Sequence, residues 1–251
     1  QCRWVGGHAG EALVATGGGL AAVLPELVAM QGFEQRTPYH IYDVLEHTAR
    51  VIDGVPPYPL VRWAALFHDM GKPAAFFTDE DGTGHFYGHA AISVMLARGI
   101  MERLALSSAF ITRVLVLVER HDDVIERTPK AVKRALSRLG GDTGRFAVLC
   151  DLKRGEARGQ APHCIGRVDE TDELERILAS IIAADEAFSL KKLALHGGDV
   201  IELGVPQGPF VGRALAEALD AVIDERVANE PDALRAFIAG WRDEHEDRGA
   251  W

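Results

Sequence analysis

Cysteine is scarce in this 251-residue sequence: Cys2, Cys150 and Cys164 are odd in number and far apart. That spacing offers neither a disulfide framework nor a CxxC zinc site, so a reducing, cytosolic setting is expected. Long apolar runs are missing too, and no basic segment precedes a hydrophobic one at the start. A membrane span of roughly 20 apolar residues and an export signal are therefore not expected. Runs of β-branched residues alternating with polar ones are nearly absent, which argues against a sheet protein. Excess positive charge is also lacking: the formal net charge is −10, which argues against coating nucleic acid by bulk electrostatics. A starting Met is absent, and with Gln1 in its place residues upstream are expected to be missing.

What is present is helical periodicity in an ordinary globular composition, 47% hydrophobic and 25% charged. The charge is uneven. From Arg120 to Gln160 there are ten Lys and Arg against six Asp and Glu, while Val168 to Trp251 holds eight against nineteen. The chain reads as all-α. A first helix is expected from about Pro38, with Val44, His47, Thr48, Val51 and Ile52 on one face, breaking at "GVPPYP". A second is expected from Leu60 to Met70, with Gly71 as a left-handed C-cap and Pro73 beyond it. "FFTDEDGTGHFYG" reads as a hairpin around Asp81-Gly82. Helices are then expected from His89 to Leu104, Ser107 to His121, Pro129 to Leu139 and Thr143 to Arg158. After a loop at "GQAPHCIGRVD" comes an acidic helix from Glu170 to Ala187. Turns at "LHGGDVIELGVPQGPFVG" precede the last helices. The expected division is a helical leader over 1–36, a helical bundle with a small hairpin insertion over 37–160, and a smaller helical region over 161–251.

Several polar residues fall on apolar stripes of these helices or at their ends. His47 lies three after Val44 and four before Val51, and His121 lies four after Leu117. His68 follows Ala64 and Ala65 at helical spacing with Asp69 beside it, and His89 precedes Ile92, Ser93 and Leu96. One such histidine is more often a satisfied core residue than a ligand. Together they need a common explanation, because a buried carboxylate without a partner costs several kcal/mol and buried imidazoles still need hydrogen-bond partners. One shared cation supplies it. Imidazole and carboxylate without thiolate suit Mn, Fe, Co, Ni or Zn, with Mg as a further choice. Water on such an ion becomes a nucleophile near neutral pH, so hydrolysis is the expected chemistry.

"DVLEHT", "LFHDMGKP", "GHFYGHAAIS" and "LVERHDD", in that order, resemble the successive motifs of HD-domain metal-dependent phosphohydrolases. More narrowly, "DEDGTGHFYGH" and the segment from "KKLALHGGDVIELG" to Leu234 resemble the C-terminal part of bacterial CCA-adding enzymes, the tRNA nucleotidyltransferases. The resemblance covers the chain from about Leu20 to Leu234. It implies one or two divalent ions held by His47, His68, Asp69, His89 and His121, with Asp69 and Lys72 as the catalytic pair and Lys72 near phosphate. The last ligand departs from the family pattern. An aspartate is usual there, and the "LKRGEARGQ" register puts Glu156 in its place, with Asp151 as the competing choice. Lys153, Arg154 and Gln160 favour the Glu156 register.

The resemblance further implies a phosphate mono- or cyclic diester as substrate, from a nucleotide or an RNA end. tRNA is an implied partner, and a tRNA-binding module with little chemistry is the alternative function. The head of a nucleotidyltransferase is not recognisable. "DED" at 79–81 fits a turn, and "TGGGL" at Thr16–Leu20 lacks the Arg-Asp that should follow, reading instead as a flexible helix leader. The chain as given is therefore not expected to add nucleotides. Lys130, Lys133, Arg134, Arg138, Lys153 and Arg154 can track an RNA backbone or form an ordinary solvated face. His40, seven residues before His47, and His85 in the hairpin are further neighbours to test against the structure.

Overall fold

The computed structural model describes residues 8–15, 22–184 and 186–247. The glycine-rich leader expected at Thr16–Leu20 lies outside the described residues apart from what flanks it, as do Cys2 and Trp251. The all-α expectation holds. Among the described residues the only sheet is a two-stranded one, and no helix is long and apolar enough to cross a membrane.

Two compact units divide the chain. Residues up to Val124 with Gly144–Glu173 form the first, and Ile125–Thr143 with Leu174 onward form the second. In the first, α1 (Ala9–Ala15) packs on α2 (Val44–Gly54). The α2 helix begins at Val44 and not near Pro38, because the Asp43 side chain caps it by accepting from the Glu46 amide at 2.7 Å. The preceding residues are held as a turn by Thr37 Oγ1 and His40 Nδ1, 3.0 Å apart.

The α3 helix (Pro59–Phe67) is apolar nearly all round and buried along its length, from Leu60 to Phe67 save for Trp63. It packs against both α2 and α6 (Ser108–Arg120), so it is the central element of the unit. Where it ends, His68 and Asp69 follow inside the core. Gly71 is not a left-handed cap: its φ and ψ are −80° and −11°. A Cβ there would lie 2.3 Å from the His89 carbonyl oxygen and 2.7 Å from the Ser93 amide. The glycine therefore admits the start of α5 (His89–Arg103) against the turn, and its amide donates to Ser93 Oγ at 2.8 Å.

Between the short α4 (Lys72–Ala75) and α5, β1 (Phe77–Thr78) pairs antiparallel with β2 (Gly84–His85), with Phe77 opposite His85. Gly82 takes φ +79° at the tip, as the Asp81-Gly82 turn requires. The long α8 (Thr143–Gly159) approaches α2 through small residues: a Cβ on Gly155 would meet Val55 Cγ1 at 2.3 Å.

In the second unit, α7 (Pro129–Arg138) is capped by Thr128. The α10 (Gly197–Glu202), α11 (Pro209–Ile223) and α12 (Pro231–Asp247) helices bury Val200, Ala214, Ala218, Leu234, Ile238 and Trp241 together. Two expected boundaries shift. The acidic helix α9 runs Arg167–Ala183, preceded by a 3-10 turn at Pro162–Gly166, and α10 occupies the stretch read as turns. Asp199 secures α10 by accepting from the His196 amide at 2.8 Å.

Candidate metal centre

Helix ends deliver the side chains. His47 stands in the first turns of α2, His68 just past α3, His89 at the first position of α5 and His121 just past α6. All four, with Asp69, are buried in the first unit.

The four imidazoles share one arrangement. Nδ1 lies against a backbone carbonyl in each: Gly159 at 3.0 Å for His47, Ala65 at 2.7 Å for His68, Phe86 at 2.9 Å for His89, and Val118 at 2.7 Å for His121. A carbonyl only accepts, so each Nδ1 carries a proton and each ring turns its Nε2 the other way. Those Nε2 atoms converge. Nε2 of His68 is 3.3 Å from Nε2 of His47, and Nε2 of His89 is 3.1 Å from Nε2 of His121. Two imidazole nitrogens facing each other at that distance are satisfied by a shared proton or by a cation beside them.

Asp69 sits where the Nε2 atoms meet. Its Oδ2 is 3.3 Å from His47 Nε2 and 3.2 Å from His68 Nε2, and its Oδ1 is 3.5 Å from His89 Nε2 and 3.6 Å from His121 Nε2. Neither oxygen accepts a well-formed hydrogen bond, although Lys72 Nζ lies 2.6 Å from Oδ2. Burial alone raises the Asp69 carboxyl, yet the charges of His68 and Lys72 outweigh it and hold the group well below its ordinary value. A carboxylate that stays ionised among imidazole nitrogens is a donor set for a divalent cation. Asp69, His89 and His121 bring ligand atoms within 4.8 Å of one another, and so do His40, His47 and Asp69.

Lys72 is buried rather than free at the helix end. Besides Asp69, its Nζ donates to Gln35 Oε1 at 2.7 Å and lies 3.3 Å from His40 Nε2. Burial and then the Lys72 charge push His40 down to about 3, so this imidazole is neutral and accepts. His40 also packs edge-on against His47, ring centroids 4.9 Å apart, which makes it a direct neighbour of the cluster.

The Glu156 carboxyl is held below its ordinary value: burial opposes ionisation, but His121 and then His68 outweigh it. Gln160 Nε2 donates to it at 3.3 Å. Asp151 is occupied elsewhere, taking the Tyr58 hydroxyl at 2.7 Å and Arg154 at 3.4 Å. His85 pairs with Asp79 at 2.8 Å on the hairpin.

The basic residues of the middle stretch meet partners within the fold. Lys153 Nζ donates to the carbonyls of His121 and Asp123 at 2.7 and 2.8 Å, which fixes the chain where His121 leaves α6. Arg154 donates to Asp172 at 2.7 Å. In the second unit Lys133 is buried against Glu186 at 2.7 Å, and Arg134 and Lys130 share Asp224 at 2.6 and 3.0 Å. Sequence reasoning missed Gln35 and the Gly159 carbonyl. Gln35 sits in an aperiodic loop where only its nearness to His40 was a signal. Gly155 and Gly159, four apart on one helix face, could have indicated a close helix approach.

An HD-domain family profile matches residues 38–177, and the profile for tRNA nucleotidyltransferase domain 2 matches residues 163–238. The CC-adding tRNA nucleotidyltransferase of Thermus thermophilus is 32% identical over 232 residues, 89% of this chain and 50% of that protein. The A-adding tRNA nucleotidyltransferase of Deinococcus radiodurans is 32% identical over 235 residues, 90% and 52%. A multifunctional CCA protein of Burkholderia mallei is 30% identical over 190 residues, 70% and 44%. The chain spans about half the length of the first two relatives and less of the third. With its ordered histidines and Asp69 on separate helix ends, the chain belongs to the HD-domain family, and its HD and C-terminal parts are homologous to those of CCA-adding tRNA nucleotidyltransferases.

Proposed function

We propose that this chain is a cytoplasmic, divalent-metal-dependent phosphohydrolase acting on a phosphate mono- or cyclic diester of a nucleotide or RNA end. The observation that carries the reading is the set of four Nε2 atoms around Asp69, each fixed by an Nδ1 committed to a carbonyl. When bound, a divalent ion supplies Lewis-acid polarisation and lowers the pKa of water. The chain's own residues do the rest. His47, His68, His89 and His121 present Nε2 donors, Asp69 supplies negative charge, and Glu156 adds a second carboxylate beside the cluster. Lys72 orients Asp69 and places positive charge beside the cluster, where it would offset the negative charge of a phosphate.

The test is turnover by the chain treated with EDTA and then reloaded with Mn, Co or Ni, using 2′,3′-cyclic nucleotides and phosphomonoesters. Metal-dependent release that disappears in Asp69→Asn supports the reading, and background rates with every metal and ester defeat it.

A second reading is a tRNA-binding module with little chemistry, favoured by the half-length match to relatives named for adding nucleotides. Lys133, Arg134, Lys153 and Arg154 would serve it only by exchanging their internal partners for phosphates. Salt-dependent tRNA retention on a filter without hydrolysis is its signature.

A further inference from the structure

The hairpin between α4 and α5 carries a ring surface that the metal centre does not use. Strand alternation sends Phe76 and Phe86 to one face and Phe77, His85 and Tyr87 to the other. The first pair is structural: Phe76 meets Phe33 edge-on at 5.2 Å and Phe86 at 5.5 Å, and Lys72 Nζ lies 5.3 Å from the Phe86 ring centre. The second set forms a compact three-ring cluster: Phe77 and His85 stack at 5.2 Å and 28°, His85 and Tyr87 at 5.6 Å and 18°, and Phe77 and Tyr87 lie 5.7 Å apart at 45°. Phe77 is 47% exposed and Tyr87 78%.

Single exposed rings need no explanation, but these three are clustered and held. Asp79 fixes His85 at 2.8 Å, and its other oxygen accepts from the amides of Asp81 and Thr83, so one carboxylate sets both the turn and the imidazole. The ring cluster is also tied to the centre. The Phe86 carbonyl, next to Tyr87, accepts from the His89 amide at 3.0 Å and from His89 Nδ1 at 2.9 Å. Tyr87 and the ligand His89 are two residues apart, no more than about 7.6 Å between Cα atoms, a reach comparable with a single nucleotide.

We propose that Phe77, His85 and Tyr87 form a stacking platform for an unpaired nucleobase of the RNA or nucleotide whose phosphate is delivered to the metal centre. This rests on reading the centre as one that acts on nucleotide phosphates. The charges support a base as occupant. Asp79, Glu80 and Asp81 at the hairpin tip repel phosphate and acidic segments alike, while a base face needs only the π surface that an exposed ring such as Tyr87 offers. Phosphate is drawn instead towards the cation-binding cluster and Lys72.

The test uses the whole chain and a fluorescein-labelled eight-nucleotide single-stranded RNA with 2-aminopurine near its 3′ end, beside the same RNA made abasic at that position. Binding should quench 2-aminopurine. Tyr87→Ala and Phe77→Ala should weaken binding about 5- to 150-fold, the range for losing one base-ring stack, while Tyr87→Trp binds as well as the unaltered chain. The abasic RNA should bind the unaltered chain as weakly as the intact RNA binds Tyr87→Ala, a comparison that needs no variant to fold. Ni uptake by each variant reports that its fold is intact. Equal affinity for abasic and intact RNA, or no RNA binding at all, overturns the platform. Glycerol 2-phosphate, which has no base, separates the two ideas. Its metal-dependent hydrolysis without base discrimination sinks the platform alone, and Tyr87-dependent quenching without any hydrolysis sinks the catalytic reading alone.

Discussion

Replacing Gly71 by Ala tests whether the turn after Asp69 is shaped by packing. The backbone at φ −80° and ψ −11° suits any residue, so alanine meets no conformational penalty and even restricts the unfolded chain. The cost is steric. The new methyl would sit 2.3 Å from the His89 carbonyl oxygen, 2.7 Å from the Ser93 amide and 2.9 Å from Ile92 Cβ, two of these being backbone. Reaching ordinary contact takes a displacement of about 1 Å at the start of α5, several times the roughly 0.2 Å that metal-ligand distances tolerate. Overpacking of this kind costs about 1–3 kcal/mol. Because His89 moves with α5, metal affinity should fall about 10- to 100-fold as well. Urea unfolding in EDTA reads the first effect, and calorimetric titration with Mn or Ni reads the second. Gly82→Ala is the control: at φ +79° with open space around it, it should cost about 1–2 kcal/mol and leave metal affinity unchanged. The reasoning is refuted if Gly71→Ala binds metal like the unaltered chain, for the close approach at this glycine would then not hold His89 in place.

Other outcomes follow from the same geometry. Glu156→Ala should weaken metal binding while Asp151→Ala leaves it nearly unchanged and costs about 1 kcal/mol through the orphaned Tyr58 hydroxyl; the reverse order would move the last ligand to Asp151. Chelation should lower the unfolding temperature, by the equivalent of about 2.7 kcal/mol for metal supplied at a hundredfold over its dissociation constant, and identical melts with and without EDTA would contradict a bound ion. His40 takes a proton near pH 6.5 when unfolded and only near 3 when folded, so its contribution is present above pH 6.5 and lost as pH falls towards 3. The unaltered chain should therefore lose about 1.4 kcal/mol more per pH unit below 6.5 than His40→Asn; parallel stability curves would show that His40 is solvated.

The candidate ligands were legible in the sequence because each lies on an apolar stripe or at a helix end, where a polar residue conflicts with its surroundings. His47 beside Val44 and Val51, and His121 beyond Leu117, were visible for that reason. Gly71 was misread because a glycine two residues before a proline fits a helix cap equally well. Only the approach of α5, which starts eighteen positions later, distinguishes the two. Gln35 could not be seen at all, since a loop has no period to violate, yet it accepts one of the buried Lys72 protons. The start of α2 was misplaced for a related reason: Pro38 is a permissible first helical residue, but the Asp43 side chain satisfies the free amides six positions short of that length.

Charge was the feature that linear reading represented worst. The excess of basic residues between Arg120 and Gln160 left an RNA-tracking surface and an ordinary solvated face equally open, but the count cannot see acids that are distant in sequence. Arg154 meets Asp172 eighteen positions on, Lys133 meets Glu186 at fifty-three, and Arg134 meets Asp224 at ninety. Each such pair lowers the field the stretch presents to a polyanion, and a phosphate must compete with a carboxylate already in place. Lys153 illustrates a different use, because its ammonium is spent on two carbonyls that hold the chain beside His121. On the proposed reading, recognition depends less on summed positive charge than on where the candidate cation site and the ring cluster stand. The hairpin places Tyr87 two residues before His89, so one short segment links an exposed aromatic face to the candidate metal centre.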